Sequence, residues 1–473
     1  MKTLNKKPLF LAIAGVTAFG AVGMAQAVSV NPTGLGQVLV YPYYTVKGAA
    51  TAPFNTLLSI VNTTQSTKAV KLRFREGKAS KEVLDFNIFL SPEDVWTGWL
   101  EPSASGGVKL GTADKTCTLP AIPAAGVEFR NGDYKGDAAE DDTLTRLREG
   151  YFEVFEMSTY SASSTTAKSA KHTSAGVPAA CAAITNALAL SEAQAPNGGL
   201  SGTASLVAPG VGINASMDAT ALVNFKAAAF YQNTGTEKPN FADADQVSVT
   251  ATANGNSVWA SWSFGEDAVT AALDKASIIN EFVLDAATKS ATDWVVTFPT
   301  KHHYVIEDVD VFHPFKSVLG PTGSCDSVSL TLWNREEGGV TPAGPDFSPS
   351  PSPEGASLCW EANIVTFNGK NVFGSSNTLS VATTFESGWA QIGFQGSSVW
   401  NGTGNSVVAS LPLAANSASL VTQNGLSVPS VSSLSNTTFS GLPAIGFAVQ
   451  TFPTSPLQSY AGTFAHRFVP GTP

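Results

Sequence analysis

NTLLSIVNTTQSTKAVKLRFREGKASKEVLDFNIFLSPEDVWTGWL, residues Asn55 to Leu100, carries the reading of the fold. Leu57–Val61 is a short apolar run and Asn62–Lys68 a polar turn. Val70, Leu72 and Phe74 then alternate with Lys71, Arg73 and Arg75. That period of two predicts a strand with one face in a core and the other in water. After the turn residues Glu76–Ser80, the run Val83–Leu90 predicts a third strand. Ser91-Pro92 ends it, and Val95, Trp96 and Trp99 follow as bulky anchors. Short strands separated by turns at this spacing suit an antiparallel sandwich.

Working outward, the first 27 residues read as a secretory leader. Lys2, Lys6 and Lys7 precede the apolar core Leu9–Met24, and the small residues Ala25 and Ala27 frame a cleavage point before Val28. No later stretch is apolar enough to span a bilayer as a helix, so no transmembrane helix is expected in the mature chain. Loss of the leader lysines leaves 24 basic against 37 acidic side chains, moving the net charge from −10 to −13. That balance argues against nucleic acid, which needs clustered Lys and Arg. From Thr341 to Pro473 charges are sparse, and Ser, Thr, Asn and Gly supply the polarity.

Cys117, Cys181, Cys325 and Cys359 enter an oxidising compartment if the leader functions, so two disulfides are expected. Three connectivities are open. The nearest-neighbour one, Cys117 with Cys181 and Cys325 with Cys359, requires Val328–Trp333 and Leu358–Phe367 to lie in different sheets or a loop to fold back.

The 446 residues after the leader exceed one compact core, so the expectation is an all-β chain of two β-sandwich-like, immunoglobulin-like units. The N-terminal unit spans 28–157 and the C-terminal one 201–473. Between them, 158–200 is an Ala/Ser/Thr-rich insertion with a predicted helix from Pro178 to Ala195. Within the first unit, Pro42 in GQVLVYPYY suits an edge strand or a bulge. An edge near Gly36–Tyr44 would also be a place for strand addition by a second copy of the chain. Strands are expected at Gly150–Met157, Gly202–Val207, Ala219–Phe225, Val258–Phe264, Ser290–Phe298, Gly388–Phe394, Ala444–Phe452 and Tyr460–Phe468.

Three groups of residues offer chemistry. KHHYVIEDVDVFHPF, Lys301–Phe315, collects His302, His303, Asp308, Asp310 and His313 as transition-metal ligands. Adjacent histidines on a strand point to opposite faces, so His302 and His303 would not share one site. NGDYKGDAAEDD offers Asn131, Asp133, Asp137 and Asp142 as calcium ligands, although Lys135 stands where a ligand belongs. Trp259, Trp262 and Trp360 are candidates for a sugar-stacking surface. Glu361, beside Trp360 in a strand, is a candidate for a carboxyl with a raised pKa, with a carboxylate on the solvent face of that strand as the favoured reading. No Gly-x-Ser-x-Gly elbow, phosphate loop or dinucleotide fingerprint is present, so no catalytic residue is assigned.

The runs GQVLVYPYYT, VLDFNIFLSP with VW after it, TDWVVTFPTK and LCWEAN resemble a group of uncharacterised secreted proteins from Gram-negative bacteria. The resemblance covers most of the mature chain. It implies export and a shared architecture, and no activity. The function expected from all this is an exported, non-enzymatic protein of the cell envelope or surface, with a structural, adhesive or assembly role. Its place would be the cell surface, the outer membrane or the medium, with the periplasm as an alternative. Partners would be other envelope or surface components, or further copies of the chain. A carbohydrate-binding module or hydrolase, and a periplasmic metal-binding protein, are the rival readings.

Overall fold

The structure, a computed structural model, describes residues 27–134, 137–139, 141–251, 257–306, 314–340, 356–394, 399–400, 406–407, 413–421, 431–434, 438–453 and 459–471. The stretch expected to be a leader lies outside them apart from Ala27. The fold is all-β and sandwich-like, with several sheets and four short helices among the described residues. No described helix is long and apolar enough to cross a membrane.

The stretch 55–100 supplies strands to two facing sheets. In the first, Glu149–Tyr160 lies between Val38–Thr45 and Thr67–Glu76, and Glu82–Leu90 pairs with the latter. In the second, Asn55–Asn62 pairs with Val95–Pro102 on one side and Thr203–Ala208 on the other. Leu39, Leu72, Phe74, Ile88 and Phe152 from one sheet share a core with Leu58, Ile60, Trp96, Leu100 and Leu206 from the other. Phe86 and Trp96 meet edge to face across the gap, with centroids 5.7 Å apart.

The strand pattern of Val70–Arg75 holds, but its polar face is not in water. Lys71 and Arg73 are fully buried and Arg75 is 7 % exposed. The reason is a second layer that covers the back of the first sheet. Lys71 donates to the carbonyls of Asn233 and Thr236, and Arg73 to those of Thr236 and Pro239. Phe225 and Phe241 pack on Phe155 of the same face. Charge is balanced within the sheet by diagonal cross-strand pairs: Lys71 with Asp85 at 2.7 Å, Arg73 with Glu82 at 2.7 Å and Arg75 with Glu153 at 3.0 Å.

Pro42 sits in an interior strand, not at an edge. Val38–Val40 pairs with Thr220–Val223 on one side, while Glu149–Tyr160 pairs on the other. The proline is accommodated by a bulge, where the register jumps from Gly150 opposite Tyr44 to Phe152 opposite Tyr41. Gly150 is needed there, because a Cβ would collide with the Arg75 carbonyl. The strand is therefore not a sheet edge, and strand addition at Val38–Val40 is blocked by the chain itself.

A second pair of sheets follows. Asp274–Val283, Ser329–Asn334 and Ser387–Gly393 belong to one, and Ala291–Thr297, Ala362–Phe367 and Ile445–Pro453 to the other. Phe282 stacks on Phe367 between them, with centroids 5.0 Å apart. The latter sheet is covered on both faces: Trp294 and Val296 face its partner, whereas Val295, Ile364 and Phe447 join the core of the first sandwich. Thr297 donates to the Pro42 carbonyl at 2.6 Å, and Glu149 accepts from Ser376, so the two sandwiches are stitched together by polar contacts as well.

Strands from Leu200 to Val223, grouped by sequence with the C-terminal unit, hydrogen-bond into the two N-terminal sheets. The insertion is partly helical, but its helices are Thr165–Ala170 and Asn186–Ser191, not one helix over 178–195. Thr185 caps the second by accepting from the Leu188 amide. Cys181, in the preceding turn, is held to Cys117 at the sheet edge. The second disulfide joins Cys325 to Cys359. The geometric condition for it is met: Asp326–Ser327 and Ser357–Leu358 form a short ladder, and the chains then diverge into different sheets.

Candidate functional site

The helix Gly265–Leu273, GEDAVTAAL, starts with acidic Glu266 and Asp267, which favour its N-terminus. It stops at Asp274, whose backbone turns to φ −63 and ψ 135 and enters the strand Asp274–Val283 directly. This abrupt change places Asp274 and Lys275 at the floor of a cleft of about 520 Å³. Its walls are largely apolar: Val30 from the first strand, Ile278 from the floor strand, Ala444 and Ile445 from a crossing strand, and Phe468 and Pro470 from the last.

Asp274 is 6 % exposed, and neither of its carboxylate oxygens has a hydrogen-bond partner among the described residues. Burial pushes its carboxyl up to about 7, with Lys275 opposing the shift. Desolvation pulls the Lys275 ammonium down to about 8. That ammonium donates to the Leu273 carbonyl at 3.1 Å and lies 4.5 Å from the centre of the Phe468 ring. His466 contributes the third polar wall. It is bonded through Nε2 to the Val295 carbonyl at 2.9 Å and through Nδ1 to Asn280 at 3.0 Å, so Nε2–H donates and Nδ1 accepts. Desolvation pushes its pKa down to about 4, which keeps the ring neutral.

A second polar cluster is sealed between the sandwiches. His302 and His303 lie on a helix, His302–Val305, and not on a strand, so the rings stand side by side with centroids 4.1 Å apart. His302 Nδ1 is 3.9 Å from Glu361 Oε2. Burial pushes the Glu361 carboxyl up to about 8, and pulls His302 well down and His303 down to about 3. Glu361 is therefore buried and not on the solvent face of a strand, the placement that the sequence favours. Asp308, Asp310 and His313 lie outside the described residues. No cluster of three or more metal-ligating side chains occurs among the described residues.

The acidic loop is tied up internally. Arg146 takes both Asp137 oxygens, at 2.9 and 2.7 Å, and Asn131 donates to the Asp142 carbonyl, while Asp133 belongs to the turn Gly132–Tyr134. The three tryptophans do not converge. Trp262 is buried against Phe439, with its indole N–H on Ser248, Trp259 points away from that core, and Trp360 lies under the Lys78 ammonium. The stacked aromatic pair that does reach the surface is Trp333 with Trp389, directly opposite each other on neighbouring strands, 3.8 Å apart and 10° from parallel. The sequence signal for it was two strand tryptophans, which only the register brings together. Asp274, Lys275 and His466 carry no motif at all. Comparison with family models, with curated proteins and with solved structures finds no match to this chain.

Proposed function

We propose that the protein is an exported, non-enzymatic component of the cell envelope or surface that works by binding, with the Asp274 cleft as its binding site. The observation carrying this reading is a ligand-sized, mostly apolar cavity with an unpartnered buried carboxylate on its floor. Two disulfides support an oxidising destination. The thickly layered, cross-linked body suits a structural or adhesive setting, where partners are other surface components or further copies.

The test is a thermal-denaturation screen against small molecules with cationic, anionic and neutral heads on apolar bodies, run beside Val30→Trp, which narrows the cleft at a half-open wall. At least one class is expected to raise the wild-type midpoint and to act less on the variant. A wild-type midpoint unmoved by every class overturns the reading. Cell fractionation is expected to recover the protein outside the cytosol with Val28 as its N-terminus.

A second reading rests on Trp389, which is 37 % exposed beside Trp333 on the outer face of its sheet. Flat aromatic rings at a sheet surface suit the apolar faces of sugars. Oligosaccharides are expected to shift the tryptophan fluorescence of the wild type and not of Trp389→Ala. A glycan array without hits removes this reading.

A further inference from the structure

We infer that the ligand of the Asp274 cleft is an organic cation, an ammonium group carried on an apolar body. The inference rests on the reading of the cleft as a binding site and adds the chemical class of its occupant.

The first support is the state of the carboxylate. A buried carboxylate without hydrogen bonds or a counter-charge is unfavourable by several kcal/mol, so such groups are normally paired. Asp274 has no hydrogen bond to either oxygen among the described residues, and the neighbouring Lys275 ammonium offsets only part of the cost of its burial. Its backbone is fully used, since the carbonyl accepts from the Gly471 amide and the amide donates to the Ala271 carbonyl. Only the side chain is left wanting, and it lines the cleft.

Backbone closes on that side chain without supplying a hydrogen bond. A Cβ at Gly441 would lie 2.5 Å from Oδ1, and one at Gly471 would collide with Oδ2. Gly441 also has φ +147, which excludes most other residues. The two glycines hold the carboxylate in place, so it cannot swing toward a donor elsewhere in the chain.

The second support is that the groups able to hold an anion each already have a partner within the chain. The Lys275 ammonium is bound to the Leu273 carbonyl and covered by Phe468, and both nitrogens of His466 have partners. Among the buried polar side-chain atoms of the described lining, the Asp274 oxygens are the ones left without a hydrogen bond, and they call for positive charge. The cleft walls, Val30, Ile278, Ile445 and Phe468 among them, demand apolar surface. A cation with an apolar body meets both, and the exposed Phe468 ring adds a favourable face for an ammonium group.

The experiment is calorimetric titration of the full mature chain with three probes of equal chain length: hexyltrimethylammonium, hexan-1-ol and hexanoate. The cation is expected to bind about tenfold or more tightly than the alcohol, and hexanoate more weakly than either. Asp274→Asn, which keeps the shape and removes the charge, is expected to bring the cation down to the alcohol's affinity. Lys275→Met, which removes a repelling charge, is expected to tighten the cation several-fold. Equal binding of cation and alcohol by the wild type, or tightest binding of hexanoate, overturns the ligand class while leaving the cleft a binding site. Failure of all three probes to bind overturns both. The wild-type comparison decides the matter even if a variant does not fold.

Discussion

Arg75→Met should unfold at much lower denaturant concentration than the wild type, with a loss of about 3–5 kcal/mol. The guanidinium spans Glu153 at 3.0 Å and the Ser80 carbonyl at 2.6 Å. Its removal strands the fully buried Glu153 carboxylate, whose Oε1 already has no partner among the described residues. The double variant Arg75→Met/Glu153→Leu should recover at least half of the loss, since neither charge then remains to be desolvated. Chemical denaturation of the three variants checks both statements. A loss below about 1 kcal/mol for the single variant would mean that water reaches this layer and screens it.

The second large effect is a pH dependence centred on Glu361. Its carboxyl is raised by burial to about 8 in the folded chain, from an ordinary value of 4.5, so the folded state prefers the protonated form. The stability that this contributes is complete below the unfolded pKa and is lost as pH rises through the folded one. Between about pH 5 and about pH 9 the group should therefore remove up to roughly 4 kcal/mol from the wild type. Glu361→Gln cannot ionise. It is expected to match the wild type within about 1 kcal/mol near pH 5 and to exceed it by about 2–4 kcal/mol near pH 9. Asp274 and Asp293, both raised to about 7, act in the same direction in both proteins, so the difference curve isolates Glu361. Parallel loss of stability in the two proteins would falsify the assignment.

Much of the architecture was legible because it is local. The alternation in Val70–Arg75, the turn chemistry after Leu90 and the apolar runs at Ala291–Thr297 and Ile445–Pro453 each state strand without reference to the rest of the chain. Even the condition on Cys325 and Cys359 followed from strand geometry alone. What alternation cannot state is what covers a polar face. Lys71, Arg73 and Arg75 read as solvated because nothing nearby in sequence says that residues 231–241 will lie over them. Adjacent histidines would part only on an extended strand; the helical turn His302–Val305 instead brings their rings together.

The strand carrying Asp274 was missed for a similar reason. DKASIINEFV has adjacent Ile278 and Ile279 and follows a helix without a turn, so neither period dominates. Its alternate buried residues, Ala276, Ile278 and Phe282, are visible only once the register is known. The pKa values of the cleft depend on desolvation by remote segments, and a linear reading has no access to that quantity.

Those remote segments have a consequence for biogenesis. Val30 and Phe468, which face the same cleft, are separated by 438 positions along the chain. In a chain emerging N-terminus first, Val30 appears early, and the cleft lacks its Phe468 wall until Arg467–Pro470 pairs with Lys275–Ile279. If the chain is exported and binds at this cleft as proposed, a nascent or truncated chain lacks a wall of the site, and occupancy of the cleft would report that transport is finished.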